Sequence, residues 1–122
     1  MITGSCLCHT VTYQAQKLLG TIVFCHCSYC RKASSSAFSV NSLVNVEDFQ
    51  ILSGADELVT YESSKGKYRY YCKNCHSQIY HVKDDTPDKL TLKLGTIDHC
   101  EQDLSQLERK HIHNSQKFPW LE

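Results

Sequence analysis

Apolar residues in this chain fall at alternate positions in short runs rather than at helical spacing. The clearest run is Lys89-Leu90-Thr91-Leu92-Lys93-Leu94, where leucines alternate strictly with polar residues, the pattern of a half-buried strand. Val11-Thr12-Tyr13-Gln14-Ala15 reads as a strand, and so does the β-branched and aromatic run Thr21-Ile22-Val23-Phe24. Ala37-Phe38-Ser39-Val40 is a further short strand, and Val44, Val46, Phe49, Ile51 and Leu52 are strand and turn material closed by Ser53-Gly54. Leu58 to Tyr61 and Lys67 to Tyr71 form the arms of a hairpin around Ser63-Ser64-Lys65-Gly66, and Gln78 to Val82 is another strand. Glu101 to Lys110 predicts a short helix whose apolar face holds only Leu104 and Leu107. The fold class expected is mostly β, a sheet domain pinned by zinc with little helix.

A chain of 122 residues without a linker, repeat or low-complexity tract is expected to be a single domain spanning 1–122. Lys plus Arg and Asp plus Glu number 13 each, giving a formal net charge of zero. No block of basic residues offers a footprint for nucleic acid or an anionic membrane. The start, Met1-Ile2-Thr3-Gly4-Ser5-Cys6, shows neither the basic nor the apolar part of a signal peptide, so a cytoplasmic location is expected.

Eight cysteines change the picture more than charge does. They are bunched as C-x-C, C-x-C-x-x-C and C-x-x-C, which suits metal chelation, whereas disulfides stabilise most when they close long loops. In Cys25-His26-Cys27-Ser28-Tyr29-Cys30, an extended segment lets Cys25 and Cys27 face one ion, and a turn across Ser28-Tyr29 brings Cys30 to it. Three thiolates leave a tetrahedral Zn²⁺ one position for water or substrate, the ligand count of catalytic zinc. Cys6 and Cys8 with Cys72 and Cys75 make a closed four-thiolate site of structural type. Spacing alone also permits Cys27 and Cys30 to join Cys72 and Cys75 in a zinc ribbon. Cys100 is left over, either a fourth ligand for the three-thiol group or an idle thiol.

These motifs resemble the glutathione-dependent formaldehyde-activating enzyme family, which shares its domain with centromere protein V. The resemblance is carried by Gly4-Ser5-Cys6-Leu7-Cys8-His9-Thr10-Val11-Thr12-Tyr13, by Cys25 to Ala33, by Tyr61-Glu62-Ser63-Ser64 and by Arg69 to Gln78. Leu94-Gly95-Thr96-Ile97-Asp98, His111-Ile112 and Pro119-Trp120-Leu121 continue it in the family's order. It implies a β-rich Mss4-like fold with two zinc ions. One is structural, at Cys6, Cys8, Cys72 and Cys75. The other is catalytic, at Cys25, Cys27 and Cys30, with its fourth position open. The implied activity is addition of glutathione to formaldehyde, giving S-hydroxymethylglutathione, a carbon–sulfur lyase reaction in reverse. Small-molecule thiol and aldehyde would be the partners.

The family commonly has Gly where this chain has His9, Ser35 and His76; after a cysteine knuckle this suggests positive φ at His9 and His76, and at Ser35, just past the three-thiol cluster, a close backbone approach to substrate. His26 lies between two ligands and points away from them in an extended segment, as a hydrogen-bonded structural histidine. Arg31 and Lys32 are the candidates to bind the carboxylate of a peptide-like thiol, or else to offset an anionic zinc–thiolate centre. Tyr68, Tyr70, Tyr71 and Tyr80 read as sheet packing, and Trp120 as the residue that packs the C-terminal end onto the sheet. Two other readings compete with the enzyme: a non-catalytic zinc module with a protein partner, and a sensor whose three-thiol group releases zinc on oxidation.

Overall fold

The computed structural model describes residues 1–121 and is mostly β, as the alternating pattern predicts. Eleven strands occur among the described residues: β1 (Ile2–Ser5), β2 (Thr12–Ala15), β3 (Ile22–Cys25), β4 (Ser39–Asn45), β5 (Phe49–Ser53), β6 (Leu58–Ser64), β7 (Lys67–Cys72), β8 (Gln78–Lys83), β9 (Lys89–Lys93), β10 (Ile97–Cys100) and β11 (Arg109–Ile112). One α-helix, α1 (Ser28–Ser34), interrupts them. The smaller sheet runs β10-β1-β2-β5, and the larger runs β11-β3-β4-β9-β8-β7-β6. All pairings are antiparallel except β11 with β3, which is parallel.

The core lies where both sheets contribute apolar side chains. Ile2, Val11, Tyr13 and Ala15 from the smaller sheet and its loops meet Val44, Ile79, Leu90 and Leu92 from the larger, all buried. Tyr13 stacks on Phe49 at 5.3 Å, and its hydroxyl pairs with Thr96 Oγ1 at 2.8 Å, so the buried phenol keeps a polar partner. Gly4 is required beside it, because a Cβ there would occupy the Tyr13 ring and the Thr96 carbonyl.

The hairpin of β6 and β7 forms as expected, with Gly66 at φ 77° supplying its left-handed turn residue. Tyr70 and Tyr80 stack at 4.6 Å across β7 and β8, as sheet-packing tyrosines do.

Three expectations need correction. Ser28-Tyr29 is the start of α1 rather than a turn; its N-cap is Cys27, whose sulfur accepts a hydrogen bond from Cys30 N at 3.3 Å. A seven-residue helix capped by a thiol carries neither of the usual sequence signals, an apolar stripe or a Ser/Asp cap. Glu101–Lys110 is not an α-helix: only a 3₁₀ turn at Leu104–Gln106 forms, and Arg109–Ile112 is a strand. An apolar face of two leucines could not hold a helix against pairing with β3. Trp120 does not pack on the sheet; it is 68% exposed and stacks on Phe118 at 5.2 Å, while Phe118 takes the packing role beneath Arg31.

Strand β9 also departs from a half-buried pattern. Leu90 and Leu92 face the core, yet Lys93 on the opposite face is buried as well, because β9 is central in the larger sheet and its outer face is covered. What covers that face builds the site.

Candidate metal centres and the cavity beside one of them

Two groups of thiols converge: Cys6, Cys8, Cys72 and Cys75 in one, Cys25, Cys27 and Cys30 in the other, each within 4.8 Å of one another. The four-thiol group sits where the turn after β1 meets the end of β7 and the turn after it. Each half is a tight knuckle. Val11 N donates to Cys6 Sγ at 3.3 Å and Asn74 N to Cys72 Sγ at 3.4 Å. Leu7 N donates to Ser77 Oγ at 3.0 Å, tying one knuckle to the other. Burial pushes the Cys6 thiol up to about 11, whereas Cys75, despite burial, is drawn down to about 5 by hydrogen bonds from Ser77 and the Cys8 backbone.

His9 (φ 64°) and His76 (φ 65°) occupy the left-handed position that closes each knuckle, and Ser35 (φ 53°) the one that ends α1. The three positions at which family members commonly carry Gly are therefore left-handed here, with side chains tolerated. His9 also gains a contact, as its Nδ1 meets Ser5 Oγ at 3.1 Å and that hydroxyl donates to Asp98 Oδ2 at 2.6 Å.

The three-thiol group is local. Cys25 ends β3, Cys27 caps α1, and Cys30 lies on its first turn; Cys25 and Cys30 are buried and Cys27 half-buried. Cys25 and Cys27 bring their sulfurs to 3.6 Å, as do Cys6 and Cys8, while Cys8 and Cys72 stand at 3.8 Å. A tetrahedron of sulfurs about 2.3 Å from zinc has edges of about 3.8 Å. Both groups thus fit a thiolate-bound ion by donor type and by spacing. Cys100 joins neither; its Sγ faces Gln102 O at 3.4 Å. Among the described residues the second group stops at three ligands.

Its surroundings are cationic. Arg69 donates from Nη2 to Cys30 Sγ at 3.7 Å and from Nε to Ser63 Oγ at 2.8 Å. The hydrogen bond from Cys25 holds Cys30 far below the ordinary thiol range, to about 3, with Lys67 and Arg69 assisting against burial; Cys25 is pushed up in exchange. Burial drives Lys93 down to about 7, lowers Lys67 also, and keeps His81 neutral. A cavity of about 490 Å³ opens onto the thiols, walled by Lys67, His81, Lys83, Asn41 and Thr91 of the larger sheet and by Ile112 and His113.

A family model described as glutathione-dependent formaldehyde-activating enzyme matches residues 1–115. The chain belongs to that family. Relatives from Aspergillus flavus and Aspergillus oryzae, both carrying the provisional name glutathione-dependent formaldehyde-activating enzyme, are 32% identical to it over 66 residues. Those matches cover 53% of this chain and 35% of each relative, about a third of their length. A crystal structure of a Rhodobacter sphaeroides protein shares the fold at a TM-score of 0.70, with 18% identity over 88% of this chain and 98% of that one. No helix among the described residues is long and apolar enough to cross a membrane.

Within this member of the family, the two basic residues after the thiols go separate ways. Arg31 lies over the Phe118 ring at 4.1 Å and donates from Nε to His26 O at 3.2 Å. Lys32 is exposed and lines a different cleft. His26 turns from the thiols, is fully buried, and pairs through Nε2 with His111 Nδ1 at 2.8 Å. The basic residues that do wall the thiol cavity, the cations Lys67 and Lys83 and the neutral His81, escaped sequence reasoning. Their signal was present: Lys67 and Arg69 alternate with Tyr68 and Tyr70, and Thr91 and Lys93 with Leu90 and Leu92. Such alternation reads as a solvent face, but here α1 and the segment from β11 onward cover it.

Proposed function

We propose that the cavity beside Cys25, Cys27 and Cys30 adds a small anionic thiol of the glutathione kind to formaldehyde or a similarly small aldehyde. In the addition the S–H bond breaks, a carbon–sulfur bond forms, and the proton ends on the former carbonyl oxygen, giving S-hydroxymethylglutathione from glutathione; the reverse is a carbon–sulfur lyase reaction. The observation that carries this reading is a group of three thiols with no fourth ligand among the described residues, opening onto a cavity with Lys67 and Lys83 in its wall.

Zinc held by Cys25, Cys27 and Cys30 would supply stabilisation of the incoming thiolate, whose ordinary pKa near 8.5 leaves it mostly protonated at neutral pH. The second zinc, at Cys6, Cys8, Cys72 and Cys75, would be structural. Lys83, exposed at the cavity rim, receives a carboxylate of the thiol substrate. Lys67, its ammonium made more acidic by burial, gives a proton to the developing alkoxide and is recharged by the proton of the incoming thiol. Asn41, with Oδ1 buried and unpartnered, and neutral His81 orient what enters between them. Holding thiol and aldehyde in one cavity removes much of the entropy cost of joining them. Of the two basic residues after the thiols, Arg31 steadies the centre through the His26 carbonyl rather than facing the cavity. A cytoplasmic setting, where glutathione is abundant and thiols stay reduced, suits this chemistry.

The test compares wild type with Cys27→Ser. Serine is itself a favoured N-cap, so α1 keeps its cap while the thiol ligand is lost. Wild type should hold two zinc ions, surrender one to a mild chelator while remaining folded, and accelerate adduct formation from ¹³C-formaldehyde and glutathione. Cys27→Ser should hold one and show only the uncatalysed rate. A single zinc in wild type after full loading, or equal rates for the two proteins, would sink the proposal.

A further inference from the structure

A second cavity, of about 660 Å³, is separate from the one the thiols line. It lies on the far side of Arg69, between α1 and the β6–β7 hairpin, with Tyr29, Lys32, Tyr61, Arg69, Tyr71 and Gln78 among its walls. Three features bear on what it could hold. Tyr29 and Tyr61 are 56% and 61% exposed and stand together in this one cleft, with their rings open to solvent. Arg69, only 3% exposed, bonds Cys30 through Nη2 and Ser63 through Nε, while Nη1 is buried without a partner; Gln78 Nε2 is buried and unpartnered too. Among the described residues no acidic side chain lines the cleft, so Lys32 has no acidic partner there, while the Arg69 guanidinium faces Cys30 on one side and keeps Nη1 without a partner.

From this arrangement we infer that the cleft is a second ligand site, which takes a planar aromatic carboxylate between Tyr29, Tyr61 and Tyr71. The rings supply stacking area, which tolerates varied planar bodies. Lys32 and Arg69 supply the charge, and a buried guanidinium nitrogen with nothing to bond favours an acceptor that is both anionic and planar. The volume falls in the range that encloses a drug-sized molecule and exceeds what a small aldehyde needs. Because none of Cys25, Cys27 and Cys30 lines it, its occupant is not the reacting thiol.

Naphthalene-2-carboxylate is the probe, titrated into the zinc-loaded full chain by calorimetry, with 2-naphthalenemethanol as its neutral counterpart. The carboxylate should bind saturably, one per chain, and about tenfold more tightly than the alcohol, the difference expected of a charge-assisted hydrogen bond. Tyr61→Ala should weaken it about tenfold, with an unchanged melting temperature because the side chain is exposed. Lys32→Ala should weaken the carboxylate and leave the alcohol unaffected. Cys27→Ser should bind as wild type does, so this site is tested apart from the thiol reaction. Absence of saturable binding, equal affinity for carboxylate and alcohol, or affinity indifferent to both Tyr61→Ala and Lys32→Ala would overturn the inference.

Discussion

Cys6, Cys8, Cys72 and Cys75 draw together segments far apart in the chain, Cys8 and Cys72 being 64 positions apart, whereas Cys25, Cys27 and Cys30 come from one strand end and the helix after it. The first group joins the smaller sheet to the larger. An ion bound there would close a long loop whose entropy otherwise opposes folding. The second closes almost no loop, so a metal there would add little to folding, which fits the chemistry proposed for it. On the proposed reading, identical donor atoms divide into fastening and function according to sequence separation and surroundings.

The largest effect expected is on the fastening group. Binding free energy at a structural thiolate site is on the order of 10 kcal/mol, comparable with the whole stability of a small domain at about 5–15 kcal/mol. Cys72→Ser should therefore abolish the cooperative thermal transition seen by circular dichroism. If Cys72→Ser melts no lower than Cys27→Ser, the division between the groups is wrong.

A smaller effect follows from Arg69, which bonds Cys30 but touches none of the four-thiol group. Arg69→Met should weaken metal at the three-thiol site about 10–100-fold in chelator competition. The four-thiol site should hold its metal unchanged.

Lys93 sharpens the contrast through pH. Burial lowers its pKa to about 7, below the 10.5 of a free lysine. Below pH 7 the side chain is charged in both states and its burial destabilises the fold fully. Between about 7 and 10.5 the unfolded chain binds a proton that the native chain does not, so this group makes metal-free protein more stable as pH rises. Lys93→Met should remove that part of the slope in denaturant titrations across the window. With Cys30 already ionised in the metal-free protein, three thiolates and Zn²⁺ carry the same single negative charge, so loading the three-thiol site should leave the wild-type slope nearly unchanged.

The smallest effect concerns the knuckles. His9 holds a left-handed conformation that costs an L-residue about 1 kcal/mol, so His9→Gly should be more stable than His9→Ala by about that amount in chemical denaturation. Equal stabilities would mean that the backbone there relaxes when the side chain is cut.

Much of this was legible in the sequence because thiols leave a spacing signature and strands leave a period of two. The hairpin, β8 and β9 follow from residue pattern, and both cysteine groups from their bunching. β1 and β10 went unread because each has only four residues and little alternation, their pairing with one another being decided by tertiary partners. The cavity walls were hidden for a different reason. Lys67 and Lys83 have the sequence pattern of a wetted face, and their place in the cavity wall depends on how the segments around the thiols fold over the sheet. Arg31 and Lys32 were conspicuous by adjacency to the thiols, yet a helix sends successive side chains in different directions.

Strand β11 pairs with β3 over only four residues, in parallel, at the edge of the larger sheet, with Arg109, Lys110 and His111 exposed. His111 reaches His26 across 85 positions of chain, and the residues that follow wall the thiol cavity. A short edge ladder with exposed side chains sits at the low end of local opening free energies. Its amides should exchange with deuterium well before those of β4 and β9. In the same excursions Cys25 and Cys27 become open to alkylating reagents in molecules that a spectroscopist would count as fully folded.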